Sequence, residues 1–140
     1  MKIKFAEKND RKAVWFWLKD PISNLFIIDK ITPDYIKHCK WFDIMCKKNQ
    51  IIIGVKDNLR IGVGILFQMS DKLVAKFYVK PVYCGYLGHD FITIGYHFFS
   101  QHKGKPIYVN CIGNEKIKQD LLAVGFLESE ENLLKYSIKK

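Results

Sequence analysis

Acid is what this sequence is short of. Its 140 residues hold 14 Asp and Glu against 23 Lys and Arg, a net charge of +9 at pH 7 with histidine neutral. An excess of that size favours an anionic partner: a phosphorylated cofactor, a nucleic acid or an acidic surface. Long apolar runs are missing as well. Nothing approaches the ~20 residues that span a membrane. Residues 1–10 carry charges throughout, unlike a secretory leader. A soluble, cytoplasmic protein with no membrane partner is expected. Cysteine is sparse, at positions 39, 46, 84 and 111, with no C-x-x-C pair. That excludes a dense disulfide framework and the usual zinc spacings, and leaves free thiols in a reducing compartment. Cys39 and Cys46, near His38, read as core packing rather than a metal site. No G-x-x-x-x-G-K-[ST] occurs, and no G-x-G-x-x-G lies between a strand and a helix, so nucleoside-triphosphatase and Rossmann readings fail. No basic run exceeds two residues and no helix-turn-helix or RNA-binding signature appears, which disfavours a pure nucleic-acid module.

What is present is a core. Hydrophobic residues make up 49% of the chain and aromatics 14%, enough for a single domain over residues 1–140. Ile3 and Phe5 alternate with Lys, an edge-strand pattern. Val14, Trp17 and Leu18 repeat at i, i+3, i+4 and predict a helix over 10–19, stopped by Asp20-Pro21. The run 24–29 is apolar and of undecided type. Thr32-Pro33-Asp34 combines a capping hydroxyl, a first-turn proline and an acid, and starts a helix whose buried face is expected to hold Tyr35, Cys39, Phe42 and Cys46. Strands over 51–56 and 61–68 meet at an Asp57-Asn58 turn. A strand over 73–80 ends at Pro81. A loop over 82–88 then leads to a long helix, with Phe91, Ile94, Gly95, Phe98 and Phe99 on its apolar face. After Gly104 and Pro106 come a strand over 107–112, a helix over 114–124 capped by Gly125, and a closing strand over 134–138. The order is β-α-α-β-β-β-α-β-α-β: an antiparallel meander, then a β-α-β unit with its two strands parallel.

The loop before the long helix carries the most chemistry. Gly85 and Gly88 let backbone N–H groups turn toward a ligand, and the helix N-terminus adds partial positive charge, a combination suited to a pyrophosphate. A tight turn alone explains two glycines there equally well.

The segment 75–89 (AKFYVKPVYCGYLGH) resembles the central motif of the GNAT N-acetyltransferase superfamily, in which a strand ending in Val-x-Pro is followed by Arg-Gly-x-Gly-x-Gly and a long helix. Asn114 with Gly125-Phe126 eleven residues on is similar to the family's Asn...Gly-Phe signature. Trp17-Leu18-Lys19-Asp20-Pro21 and His38-x-x-Trp41-Phe42 resemble segments of its ribosomal-protein and amino-sugar acetyltransferase subgroup. The loop is one residue shorter than the pattern, its Arg position falls on Cys84 or Tyr83, and its middle glycine is lost or replaced by Tyr86. Where the family often has a Tyr as general acid, this chain has Leu121.

The resemblance implies an α/β (α+β) fold with a mixed, mostly antiparallel sheet of six to seven strands, splayed to hold acetyl-CoA, and about four helices. It implies transfer of acetyl from acetyl-CoA to a primary amine of a small molecule, amino sugar or protein. Cofactor contacts would come from Phe77, Val79, Cys84, Gly85, Tyr86, Gly88, His89 and Asn114, with Lys80, Lys103 and Lys105 near the phosphates. Candidate acids are Tyr108, Tyr78 and Tyr83. Candidate bases are Asp71, His38 and a water chain. No metal is implied. The acceptor is expected near Trp15, Trp17, Asn24 and Trp41, and the chain as a monomer or homodimer. The alternatives are a basic relative acting on or binding nucleic acid such as aminoacyl-tRNA, and a degenerate one that binds acyl-CoA or a partner without catalysis.

Overall fold

The computed structural model describes residues 1–19, 34–69, 72–83, 86–104, 106–110, 115–130 and 133–136. Seven strands form one sheet: β1 (Lys2–Phe5), β2 (Ile51–Lys56), β3 (Leu59–Met69), β4 (Lys72–Val79), β5 (Ile107–Asn110), β6 (Phe126–Glu130) and β7 (Leu133–Tyr136). Their spatial order is β1-β2-β3-β4-β5-β7-β6. The helices among the described residues are α1 (Arg11–Lys19), α2 (Tyr35–Lys47), α3 (Tyr86–Lys103) and α4 (Glu115–Ala123). Only β4 and β5 run parallel; the other neighbours are antiparallel. This is the mixed architecture that the sequence led us to expect.

Each face of the sheet has its own core. Ile52, Phe77, Val79, Phe91, Tyr96 and Phe99 share the one beneath α3 and α4. Val14, Trp17, Phe42, Ile53, Val63 and Tyr78 share the one beneath α1 and α2. β4 lies central, and residues 73–79 are all buried, as a strand covered on both faces must be. Asp57 and Asn58 both take positive φ, 51° and 63°, the requirement of a tight hairpin turn whose twist matches its strands. Opposite Gly54 and Val55, β3 carries one residue too many, Ile61, between Arg60 and Gly62. That bulge turns Ile61 into the α3-side core while Val63 and Ile65 point the other way.

α3 lies close on the sheet because glycines meet it. A Cβ built on Gly95 would come 2.9 Å from both Ile52 Cδ1 and a carbon of the Phe77 ring, and one on Gly54 2.6 Å from the Phe91 ring. The buried face of α3 is therefore Phe91, Ile92, Gly95, Tyr96 and Phe99, with Ile94 46% exposed. The expected face was offset, because glycine rather than a large side chain marks the closest approach. α2 is offset too: His38, Phe42 and Met45 are buried, while Tyr35 is exposed and Cys39 and Cys46 are half-buried. The α2 cap is Asp34, whose carboxylate accepts from the Lys37 N–H at 2.8 Å. Thr32 and Pro33 lie outside the described residues, as does the run 24–29. The strand β6 was not anticipated. Its FLESE sequence lacks apolar alternation, and Phe126 alone anchors it in the core.

Candidate functional site

Two neighbouring strands that part company define the site. The β4–β5 ladder has three pairs, Leu73↔Ile107, Val74↔Tyr108 and Ala75↔Val109. β4 then continues to Val79, still paired with β3 through Gly62↔Val79. The Lys80 N–H donates to the Ile61 carbonyl at 2.9 Å, and the Tyr78 carbonyl oxygen faces Gly62. Successive residues of a strand direct their backbone groups to opposite edges. The N–H and C=O of Phe77 and Val79 therefore point away from β3, toward the side where β5 has ended its ladder.

The end of β4 meets the start of α3. After Val79 the chain makes a short 3-10 turn, Pro81–Tyr83, held by the Tyr83 N–H on the Lys80 carbonyl at 2.8 Å. α3 begins at Tyr86, earlier than expected, so Tyr86, Gly88 and His89 lie in its first turn rather than before it. A Cβ on Gly88 would come 3.0 Å from the Tyr83 carbonyl oxygen and 3.1 Å from Val79 Cγ1. Gly88 thus seats the first turn against the strand end. The N–H groups of that turn have no intrahelical acceptor, and the helix dipole adds partial positive charge where β4 stops. An anion such as a pyrophosphate fits this end. Cys84, Gly85 and Asn114 lie outside the described residues, as do Asp71 and Asn24.

Other expected participants are placed elsewhere. Lys103 is at the far end of the 18-residue α3, roughly 27 Å from its start at 1.5 Å per residue, and donates to the Lys48 carbonyl at 2.6 Å. It cannot serve phosphates at the N-terminus. Tyr108 pairs with Val74, five strand positions or about 16 Å from Val79. Ile107 and Val109 enter the α3-side core, so Tyr108 faces the α1/α2 side, its ring 5.1 Å from Lys72 Nζ. Leu121 is 3% exposed within the α3-side core. His38 is fully buried between α1 and α2, its Nε2 3.0 Å from the Arg11 carbonyl and its Nδ1 without a partner among the described residues. Burial lowers its pKa, so it stays neutral, and the bond to a carbonyl requires Nε2 to carry the proton. Burial pushes the Cys46 thiol up to about 11, with Asp43 and Asp10 adding to the shift. A thiol held protonated is a poor metal ligand. Among the described residues no group of three or more His, Cys, Asp or Glu is arranged to hold a metal ion.

Of the aromatics expected near an acceptor, Trp17 is buried against Tyr78, ring centroids 5.5 Å apart. Trp15 is half-exposed, with Lys19 Nζ 4.1 Å above it and Tyr35 at its edge. Trp41 packs beside His38 at 5.6 Å. α1 therefore crosses the end of β4 on the face opposite α3. Lys76 was not anticipated, and is buried at 4% exposure on that face with its Nζ 5.0 Å from the Phe67 ring. A lysine within an apolar strand was the available signal. Among the described residues no helix is long and apolar enough to cross a membrane.

No family model and no curated protein matches the sequence. Solved structures do match the fold. A ribosomal-protein-alanine N-acetyltransferase from Brucella melitensis superposes with a TM-score of 0.75 at 14% identity, over 93% of this chain and 86% of the other. A spermidine N-acetyltransferase from Vibrio cholerae, in complex with CoA and spermine, gives 0.73 at 12% identity, over 92% and 82%. The yncA protein of Salmonella typhimurium, with its cofactor acetyl-CoA, gives 0.66 at 16% identity, over 96% and 90%. The chain has the fold of these N-acetyltransferases, the one that its resemblance to the GNAT superfamily implies.

Proposed function

We propose that this chain is an N-acetyltransferase that moves an acetyl group from acetyl-CoA to a primary amine, with residues 1–140 acting as one unit. The observation that carries this is the parting of β4 from β5 with the first turn of α3 at its end. Phe77 and Val79 direct backbone groups into the gap, where they suit the amides of a pantetheine arm. The backbone N–H groups of Tyr86, Gly88 and His89 suit the pyrophosphate, with Cys84, Gly85 and Asn114 as further contacts. The fold shared with acetyltransferases supports the same reading.

A neutral amine nitrogen forms the new bond to the thioester carbonyl carbon, the C–S bond breaks, the nitrogen loses one proton and the thiolate takes one. A backbone N–H at Val79 is suited to the carbonyl oxygen as negative charge builds there. Of the candidate acids nearest Val79, Tyr78 is buried against Trp17, and Tyr83 stands in the turn between β4 and α3, packed against the core that holds Val79. Leu121 has no proton to give, Tyr108 is about 16 Å away along the strand, and His38 is sealed between helices. Asp71 remains the candidate base. A thiol near pKa 8.5 leaves readily, so holding amine and thioester together supplies much of the rate. Leu121 also favours a second reading, binding of an acyl-CoA without turnover.

Calorimetric titration with acetyl-CoA, followed by thiol release in the presence of amines, tests both. Micromolar binding is expected, weakened at least tenfold by Gly88→Leu, whose side chain meets Tyr83 and Val79. Binding without turnover of any amine would leave the second reading. No binding at millimolar acetyl-CoA would sink both.

A further inference from the structure

The outer sides of α1 and α2 are built alike. In α1, Lys12, Phe16 and Lys19 stand at i, i+4 and i+7, a stripe opposite the buried Val14 and Trp17. In α2, Ile36, Lys40, Ile44 and Lys47 stand at i, i+4, i+8 and i+11, opposite the buried His38, Phe42 and Met45. Every side chain of the two stripes is exposed. The helices lie side by side, tied by the Arg11–Asp43 ion pair, the His38 bond to the Arg11 carbonyl and the edge contact of Trp15 with Tyr35. Both bury their inner sides in the same core. The two stripes therefore face outward together from one layer.

Phe16, Ile36 and Ile44 are 55%, 69% and 55% exposed. A single exposed apolar residue needs no explanation. Here three of them alternate with lysines on adjoining helices. The described residues 11–19 and 34–48 hold seven Lys and Arg against two Asp. Both acids are committed: Asp34 accepts from the Lys37 N–H, and Asp43 from Arg11. Lys12, Lys40 and Lys47 enter no ion pair among the described residues. α3, on the other face of the sheet, has no such pattern. Its exposed Ile94 stands between Asp90 and His97, and no lysine precedes Lys103.

We propose that the outer layer of α1 and α2 is a docking surface for a lipid bilayer rich in anionic headgroups. Lysine ammonium groups reach the headgroup phosphates, while their stems enter the boundary below with Phe16, Ile36 and Ile44. Opposite charge draws the protein in and the apolar side chains hold it, the two signals that a stable surface contact needs. The stripes are the convex outer sides of helices, a shape that a flat, deformable surface accepts. A nucleic acid fits less well. Isoleucine has no ring on which a base can stack, and Arg11, the only arginine of these helices, is held by Asp43. The absence of long apolar runs excludes a span and not a surface contact, so this departs from the expectation of no membrane partner. α3 packs on the opposite face of the sheet, so docking leaves its first turn uncovered. The proposal does not rest on the acetyltransferase reading.

Flotation of the full chain with vesicles tests it. One set of vesicles is phosphatidylcholine alone, the other phosphatidylcholine and phosphatidylglycerol in equal parts. Binding to the second is expected to be at least tenfold tighter, and to weaken as ionic strength rises. Lys40→Glu should weaken it at least fivefold. Lys56→Glu makes the same charge change at the exposed end of β2 and should leave it within twofold. Ile36→Ser combined with Ile44→Ser should weaken binding at least tenfold at unchanged charge. Melting curves check that the variants fold, and Phe16→Ser is the second apolar variant should the isoleucine pair not. Equal binding to both vesicles, equal loss with Lys40→Glu and Lys56→Glu, or apolar variants that bind as well as the parent would each overturn the proposal. So would no binding to either vesicle. In that case, binding of a labelled single-stranded RNA that Lys40→Glu removes would assign this face to a nucleic acid instead.

Discussion

The two faces of the sheet are held by different physics. Beneath α3, contact is steric: Gly54, Gly62, Gly64 and Gly95 leave no room for a methyl group, and Phe77 and Phe91 fill the space. Beneath α1 and α2, polar pins do much of the holding. The buried Asp10 carboxylate accepts from the Glu7 N–H at 2.8 Å, Arg60 Nε at 2.8 Å and Lys4 Nζ at 2.9 Å. His38 joins the Arg11 carbonyl, and Arg11 reaches Asp43. One face should therefore fail when volume is added, the other when a polar partner is removed.

Added volume should break the steric face most severely at Gly62. A Cβ there would sit 2.3 Å from the Tyr78 carbonyl oxygen, a backbone atom that cannot swing aside. Gly62→Ala is expected to cost at least ~3 kcal/mol in urea unfolding, beyond the usual range for overpacking. Gly95→Ala, which meets the movable ends of Ile52 and Phe77, should cost ~1–3 kcal/mol. Equal costs at the two positions would show that the backbone contact is not what holds β3 to β4.

The polar face breaks differently. Asp10→Ala leaves Arg60, Lys4 and the Glu7 N–H without their acceptor, and should cost about 2 kcal/mol. The same group predicts an acid limb. Burial alone would raise the Asp10 pKa, but the bonds from Glu7, Arg60 and Lys4 outweigh it, and the net shift is below 3.8. The ionised form is favoured by folding, so its contribution is complete above pH 3.8 and is lost as pH falls through the lower folded value. Asp10→Asn should flatten that limb in a series of melts between pH 2 and 5. An unchanged limb would remove Asp10 from the account.

The contrast also governs what could be read from the sequence. The strands β2, β3 and β4 and the Asp57-Asn58 turn were legible, because burial on alternating or both faces writes itself as apolar runs. The parallel β4–β5 pairing followed from the intervening helix. The α2 face was not legible where a histidine took a core position, at His38, since hydropathy ranks it as a poor core residue; the α3 face was read at Phe91, Gly95 and Phe99 but not at Ile94, which is exposed. β6 was missed because a strand with Leu127, Glu128 and Ser129 exposed needs only Phe126 to be anchored. The gap between β4 and β5 came from resemblance alone. Where a ladder stops leaves no mark on residue type, and neither does the direction of a backbone N–H.

His38 gives a smaller, slower test of the polar face. Its pKa is lowered by burial, so below pH 6.5 the unfolded chain takes a proton that the folded one refuses. Stability should fall as pH drops from 6.5, in a window above that of Asp10. His38→Phe removes this titration and the bond to the Arg11 carbonyl, and should cost about 1 kcal/mol at pH 7.5. A wild-type curve that stays flat between pH 6.5 and 5 would mean that His38 ionises in place.

Least should come from Lys103, which ties the two faces together. Its ammonium, at the C-terminal end of α3, donates to the carbonyl of Lys48, the residue that caps α2. A cation there meets the negative end of the α2 dipole. Burial lowers the Lys103 pKa, so folding also disfavours the charge that makes the bond. The two effects oppose each other, and Lys103→Met keeps the apolar stem while removing both. About 0.5 kcal/mol of destabilisation is expected near pH 7, the low end for one hydrogen bond. The difference between the two proteins should widen as pH rises toward 10, because wild type gains stability as Lys103 sheds the charge that folding disfavours. A cost above ~2 kcal/mol would place Lys103 among the pins that hold α2, and the division between a steric and a polar face would then have to include α3 on both sides.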